Sequence, residues 1–267
     1  MKRALYDGLG RLLYPLGLAA PAMGSKAAVA VFHRIDDRYP GNPITAGRAE
    51  FRAYCEFFAR YFDVITVTEL LDRMAQGRPI GGTLAITFDD GYLDNHAVAA
   101  EELDRLGLPA CFFICTGFIG SNRSAPWDEK AGIRSEWMQW DDVRDLARRG
   151  FEIGAHTVTH PDLGVIGPAE AEREVADSRA RLEAEIGRPV DLFCYPFGGP
   201  AQLSEPNREV IRRLGMRCCF SCYGGTIHAG DDPLRLERAP ISPWHRTPHQ
   251  YGFELLASIV RGRVAYG

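Results

Sequence analysis

The sequence predicts an α/β barrel, with parallel strands inside and helices outside, on three observations. Apolar runs short enough for buried strands alternate with stretches of helical period along nearly the whole chain. The chain has 267 residues, the size of an ordinary single barrel domain. The polar residues that look chemical, His33, Asp89, Asp90, His156, His160 and the turn Tyr195-Pro196-Phe197, all fall where such a strand ends, and barrels of this kind keep their sites there.

Residues 1–24 form an N-terminal amphipathic helical segment: Leu5, Leu9, Leu12, Leu13 and Leu16 recur at helical spacing, while Lys2, Arg3, Asp7 and Arg11 lie off that stripe. Such a helix suits either a peripheral membrane contact or packing on the barrel's outside. Arg11 and Pro15 interrupt the apolar run that a cleaved secretory signal needs, and no run of 18 or more apolar residues is present to span a bilayer.

The barrel domain occupies 25–267. Its first strand covers 27–32 and exits on His33. A helix carrying Phe51, Tyr54, Phe58 and Phe62 follows, then a short strand at 64–67 and a helix over 68–76 stopped by Gly77. The strand at 84–86 runs into Thr87-Phe88-Asp89-Asp90-Gly91-Tyr92; Asp94 then caps a helix reaching Leu106, and 110–116 is the next strand. The loop 117–139, with Trp127 and Trp137, is long enough to shape a cleft. A helix from Trp140 to Gly150 leads to the strand 151–155, which delivers His156-Thr157-Val158-Thr159-His160-Pro161. Pro168 opens a charged helix ended by Gly187, and the strand 192–195 runs into Pro196-Phe197-Gly198-Gly199-Pro200. A helix over 206–214, strands over 216–221 and 236–241 and a helix over 249–259 complete the chain.

Formal net charge is −4 and the basic residues are scattered, so nothing marks a nucleic-acid footprint. The seven cysteines are an odd count and sit mostly in apolar runs, which reads as core thiols in a reducing, cytoplasmic setting, membrane-associated if the N-terminal helix binds lipid, rather than a secreted one. Cys218-Cys219-x-x-Cys222 lacks the second pair a zinc site would need nearby.

Successive strand side chains point to opposite faces, so Asp89 and Asp90 share a cleft only if the chain leaves extended geometry, which Gly91 permits. His156 and His160 are spaced to meet one ion if their segment coils. With Asp90 they make a set of two imidazoles and a carboxylate with room for water, the donors of open zinc, nickel, cobalt or iron sites. Asp89, beside that set but not needed in it, is placed to take a proton. The bland alternatives are a pair of helix-capping acids and a structural His-x-x-x-His.

Thr87-Phe88-Asp89-Asp90-Gly91 and His156-Thr157-Val158-Thr159-His160 resemble the first two motifs of the polysaccharide deacetylases, the NodB-homology or carbohydrate esterase family 4 group, over roughly 33–241. The resemblance implies a distorted (β/α) barrel, here counted as seven-stranded, that removes N-acetyl groups from an amino-sugar glycan using a divalent metal, zinc foremost. It implies Asp89 as base, Asp90, His156 and His160 as ligands, and an oxyanion contact from the backbone N–H of Phe197. The third motif departs from the family's Arg-x-Pro-Tyr, reading Cys194-Tyr195-Pro196-Phe197; Arg238, from a later strand, is the candidate to replace the missing arginine. The family's late Leu-x-His acid has no clean counterpart. His33, similar to an early Tyr-His element of the poly-N-acetylglucosamine branch, is preferred to His245. Trp127, Trp244 and Tyr195 are candidates to line the sugar path. Rival readings are a glycan-binding protein without turnover and another linear or cyclic amide hydrolase on the same fold.

Overall fold

The computed structural model describes residues 2–245 and 247–261; the 262–267 end of the expected barrel domain lies outside them. Helices α1 (Lys2–Leu13) and α2 (Ala19–Met23) precede β1 (Lys26–Phe32), whose residues from Ala27 on are buried on both faces, as a parallel barrel strand requires. The short pair β2 (Arg34–Ile35) and β3 (Thr45–Ala46) follows, then α3 (Arg48–Tyr61), β4 (Asp63–Val64), α4 (Val67–Ala75) and β5 (Thr83–Phe88). A π turn over Asn95–Ala99 leads into α5 (Ala100–Leu106), followed by β6 (Cys111–Ile114), α6 (Pro126–Lys130), α7 (Trp140–Arg148), β7 (Glu152–Ala155) and α8 (Pro168–Ile186). The chain ends with α9 (Glu205–Arg213), β8 (Phe220–Gly224), β9 (Thr226–His228), β10 (Leu236–Pro240) and α10 (Pro248–Arg261).

The main sheet runs β7-β6-β5-β1-β10-β8 in parallel, with β4 on β5 and β9 antiparallel to the start of β1. It has eight strands, which corrects the expected seven. The extra pairing arises because Gly224 and Gly225, at φ 117° and 140°, turn the chain back so that β9 can lie along β1, a path closed to residues with a Cβ. Residues 192–195, expected as a full strand, contribute two single bridges, Ala155 with Phe193 and Cys194 with Phe220. Those bridges carry hydrogen bonding from β7 to β8: Ala155 N–H donates to the Leu192 carbonyl at 2.8 Å and Tyr195 N–H to the Phe220 carbonyl at 3.0 Å. Pro196 stops the extension, since it has no N–H to give the ladder.

Strand alternation divides the apolar residues between two layers. Ala28, Ala30, Phe32, Leu84, Ile86, Phe88 and Phe112 face the helices, with Phe88 stacked between Phe32 and Phe112 at centroid distances of 5.5 and 4.8 Å. Ala27, Val29, Ala85, Cys111, Phe113, Cys194 and Phe220 fill the interior together with Leu70 and Leu71 of α4. By the same alternation Thr87 and then Asp89 point inward, at the end of β5 where the expected cleft opens.

Candidate active site

Asp89 keeps the inward direction of β5, and Asp90 reaches the same cleft because its backbone turns to φ 77°. Gly91 completes the turn at φ 97°, where a Cβ would stand 2.8 Å from Ile119 Cδ1. Asp90, Thr157, His160 and Phe197 are the described non-glycine residues with positive φ; Asp90, His160 and Phe197 line one cleft, and Thr157 follows His156 of its wall. Strained backbone of this kind persists where surrounding contacts over-determine it, and it gathers at functional sites.

The segment after β7 does not coil into a helix. Thr157 and His160 take left-handed φ of 66° and 58°, and the loop is braced by Glu174 of α8, which accepts from the Val158 and Thr159 N–H groups at 2.8 and 2.9 Å. This bend, rather than a helical turn, brings His156 Nε2 and His160 Nε2 to 3.4 and 3.3 Å from Asp90 Oδ1. His156 Nδ1–H donates to the Cys194 carbonyl at 2.8 Å, which leaves the Nε2 lone pair facing Asp90.

These three side chains fit a divalent ion. Asp90 Oδ1 is buried and, although both imidazoles lie close, closes a hydrogen bond with neither. Donors held tetrahedrally about 2.0–2.1 Å from one ion stand roughly 3.3–3.4 Å apart, the separation of each imidazole nitrogen from Asp90 Oδ1. Burial raises the Asp90 pKa, but the two imidazoles outweigh it and hold the carboxyl well below its usual range; burial lowers that of His160 despite Asp90, whereas at His156 burial is outweighed by the adjoining Asp90 carboxylate and the Asp89 charge, which raise it. An ionised carboxylate and a neutral imidazole are the forms that ligate.

Asp89 is gripped from the opposite side by Arg238 of β10, wholly buried. Arg238 Nη1 and Nη2 donate to Asp89 Oδ1 and Oδ2 at 2.9 and 2.6 Å, Nη1 also donates to Thr87 Oγ1 at 3.2 Å, and Nε donates to the Ser221 carbonyl at 2.5 Å. Cys194 packs between the two partners, its thiol 3.5 Å from Asp89 Oδ2. Desolvation pushes the Asp89 pKa up, yet the Arg238 charge and hydrogen bonds, with His156 and His33 beyond, leave it lowered, so the group is an anion at neutral pH.

The cleft measures about 370 Å³ and is lined by Asp89, Asp90, His156 and His160 with His33, Trp127, Tyr195 and Phe197. His33 Nε2 lies 4.0 Å from Asp89 Oδ2, and its carbonyl accepts from Asn95 Nδ2 at 2.6 Å. The Trp127 ring stands 4.6 Å from that of His160, its indole N–H donating to Tyr92 O–H at 2.8 Å, while Phe197 is half exposed at the rim. Tyr195 is a buried wall rather than an open stacking surface.

Several expectations are corrected. Trp244 does not line this cleft: it stacks under Arg3 of α1 at 3.8 Å and donates to Glu254 of α10, so these two helices hold it away from the site. His245 is likewise elsewhere, buried with Nε2 3.5 Å from Glu254 Oε2. Asp94 caps no helix; its Oδ1 accepts from Ile35 N–H at 2.7 Å, since a π turn displaces the helix start. Cys222, expected among core thiols, opens into the cleft within 4.8 Å of His33 and Asp89, with burial pushing its pKa up to about 12. Its position just past the predicted 216–221 strand carried the same strand-end signal as the other site residues. The buried pair Arg34–Asp128 was missed outright: Arg34 Nη2 donates to both Asp128 oxygens at 2.5 and 2.6 Å and so anchors the long loop that carries Trp127.

Fold and site together define a class, a barrel hydrolase that sets a basic carboxylate beside a metal-type donor set. A model of the polysaccharide deacetylase family matches residues 76–219, over half the chain, and the chain belongs to that family. It is similar to YxkH of Bacillus subtilis, a protein named for polysaccharide deacetylation, with 24% identity over 221 residues, 82% of this chain and 72% of that one. A chitooligosaccharide deacetylase of Sinorhizobium fredii is 27% identical over 113 residues, 41% of this chain and 42% of its own. In fold the chain is similar to the Streptococcus pyogenes deacetylase PplD in complex with acetate, at TM-score 0.71 and 19% identity, over 90% of this chain and 99% of that one.

Proposed function

We propose that this protein hydrolyses the N-acetyl groups of an amino-sugar glycan. The observation that carries the proposal is the division of the acid pair: Asp89 is held by Arg238 while Asp90 faces His156 and His160. The family match and the chitooligosaccharide deacetylase likeness support the substrate class. Asp90, His156 and His160 would hold a divalent ion, zinc first among the candidates with nickel, cobalt and iron behind it, and when bound it would polarise the acetamide carbonyl and acidify water.

The chain's own residues supply the rest. Asp89, ionised and fixed at both oxygens, accepts the proton of the attacking water as the water oxygen bonds to the carbonyl carbon. The Phe197 N–H, for which no described residue provides an acceptor, is available to the oxyanion. His33, in the cleft wall with Nε2 4.0 Å from Asp89 Oδ2, donates a proton to the sugar nitrogen as the C–N bond breaks, releasing acetate and the free amine. Trp127 and the rim ring of Phe197 flank the path of the sugar. The reading as a glycan binder without turnover rested on the absent motif arginine, and the Arg238–Asp89 pair removes that ground.

Acetate release from an N-acetylated chitooligosaccharide tests the proposal. The zinc-loaded protein releases acetate and Asp89→Asn does not, although it still binds zinc. Near-full turnover by Asp89→Asn would sink the assignment of the base. Tight saccharide binding with no acetate from any N-acetylated glycan would return the reading to a binding protein.

A further inference from the structure

One face of α1 is locked to the protein. Tyr6 packs on Phe253 with ring centroids 4.9 Å apart, Asp7 accepts from the Thr247 hydroxyl, and Tyr14 O–H donates to the Gly252 carbonyl at 3.0 Å. At Gly10 the helix meets α10 so closely that a Cβ would collide with the His249 carbonyl oxygen. At about 100° per residue, Leu5, Leu9 and Leu12 fall on the opposite face, and Leu16 and Leu18, just beyond the helix, are exposed as well. Leu5, Leu12, Leu16 and Leu18 are 60%, 55%, 62% and 51% exposed, four of the seven large apolar residues exposed among those described. Single exposed leucines need no explanation, but a stripe of them on a rigidly mounted helix does.

The charges beside the stripe favour one occupant. Lys2 and Arg11 flank it, Arg3 adds positive charge from the locked face, where it stacks on Trp244, and the segment's one acid, Asp7, is already bound by Arg11 and Thr247, in a chain whose net charge is −4. Self-pairing about a two-fold axis would bring the basic residues of both copies together. We propose that α1 docks flat on the surface of an anionic lipid bilayer, with Leu5, Leu12, Leu16 and Leu18 among the acyl chains and Lys2 and Arg11 at the headgroups.

Flotation of the full chain with vesicles of phosphatidylcholine, alone or mixed with phosphatidylglycerol, tests this. The protein floats with the anionic vesicles, less with the neutral ones and less as salt rises. The double variant Leu12→Glu/Leu16→Glu keeps its melting temperature and loses at least about tenfold in vesicle partition. Failure of the wild type to float on anionic vesicles, or equal flotation of the double variant, overturns the proposal. So does a wild-type dimer that binds no vesicle and is split by the same substitutions, since a second copy then covers the stripe.

Discussion

Arg238 and Asp89 lie 149 residues apart in sequence and meet as a buried two-pronged ion pair, 2.9 and 2.6 Å across its prongs. A pair so buried is costly to break from one side, because the surviving charge is left without a partner. Arg238→Ala should therefore cost about 3–5 kcal/mol of stability, measured by denaturant unfolding. Arg238→Lys keeps the charge and loses the fork, and kcat should fall about 100-fold. In either variant the burial that raises the Asp89 pKa is less opposed, so the acid limb of the kcat/KM profile moves to higher pH.

Loss of the ion and loss of the base should separate. Zinc at about 100 times its Kd raises the stability of the wild type and of Asp89→Asn by about 2.7 kcal/mol, and does nothing for His156→Ala. Thermal melts with and without chelator read this directly. Equal stabilisation of all three proteins would place the ion elsewhere.

The acid role of His33 predicts that His33→Gln lowers kcat by about 100-fold to 10,000-fold with KM little changed, measured by steady-state acetate release. His245→Gln, altered against Glu254 and away from the cleft, keeps kcat near the wild-type value.

Asp94 carries a pH-dependent cost unrelated to the ligand set. Burial is the main cause that raises its pKa to about 7, above the ordinary aspartate value. The folded state thus keeps a proton that the unfolded chain loses between roughly pH 4 and 7, and stability declines as pH rises through that window. Asp94→Asn, which still offers Ile35 N–H an oxygen, should be about 1–4 kcal/mol more stable than wild type at pH 8, with the gap closing below pH 4.

The buried Arg34–Asp128 pair predicts a structural lesion with a catalytic echo. Asp128→Ala strands Arg34 and frees the hydroxyls of Tyr92 and Ser135 that Asp128 accepts from, at an expected cost of about 3–5 kcal/mol. Because that network holds Trp127 beside His160, KM for the glycan should rise as well, in a steady-state assay on protein shown to be folded.

The sequence by itself determined the alternation of strand and helix, hence the parallel sheet, and put His33, Asp89, Asp90 and His156 at strand ends, because apolar runs of strand length stop visibly where polar side chains begin. It also named Arg238 as a substitute for the arginine absent at Cys194. Only the tertiary structure decided that Arg238 reaches Asp89, that Cys222 opens on the cleft, and that Trp244 and His245 turn away toward α1 and α10. It also decided that His160 arrives by a left-handed bend and not by a helical turn. Local periodicity records which way a side chain points from its own strand or helix. Which elements then converge depends on strand order and on a few backbone turns, such as those at Asp90 and at Gly224-Gly225, and these arise from contacts between residues far apart in the chain.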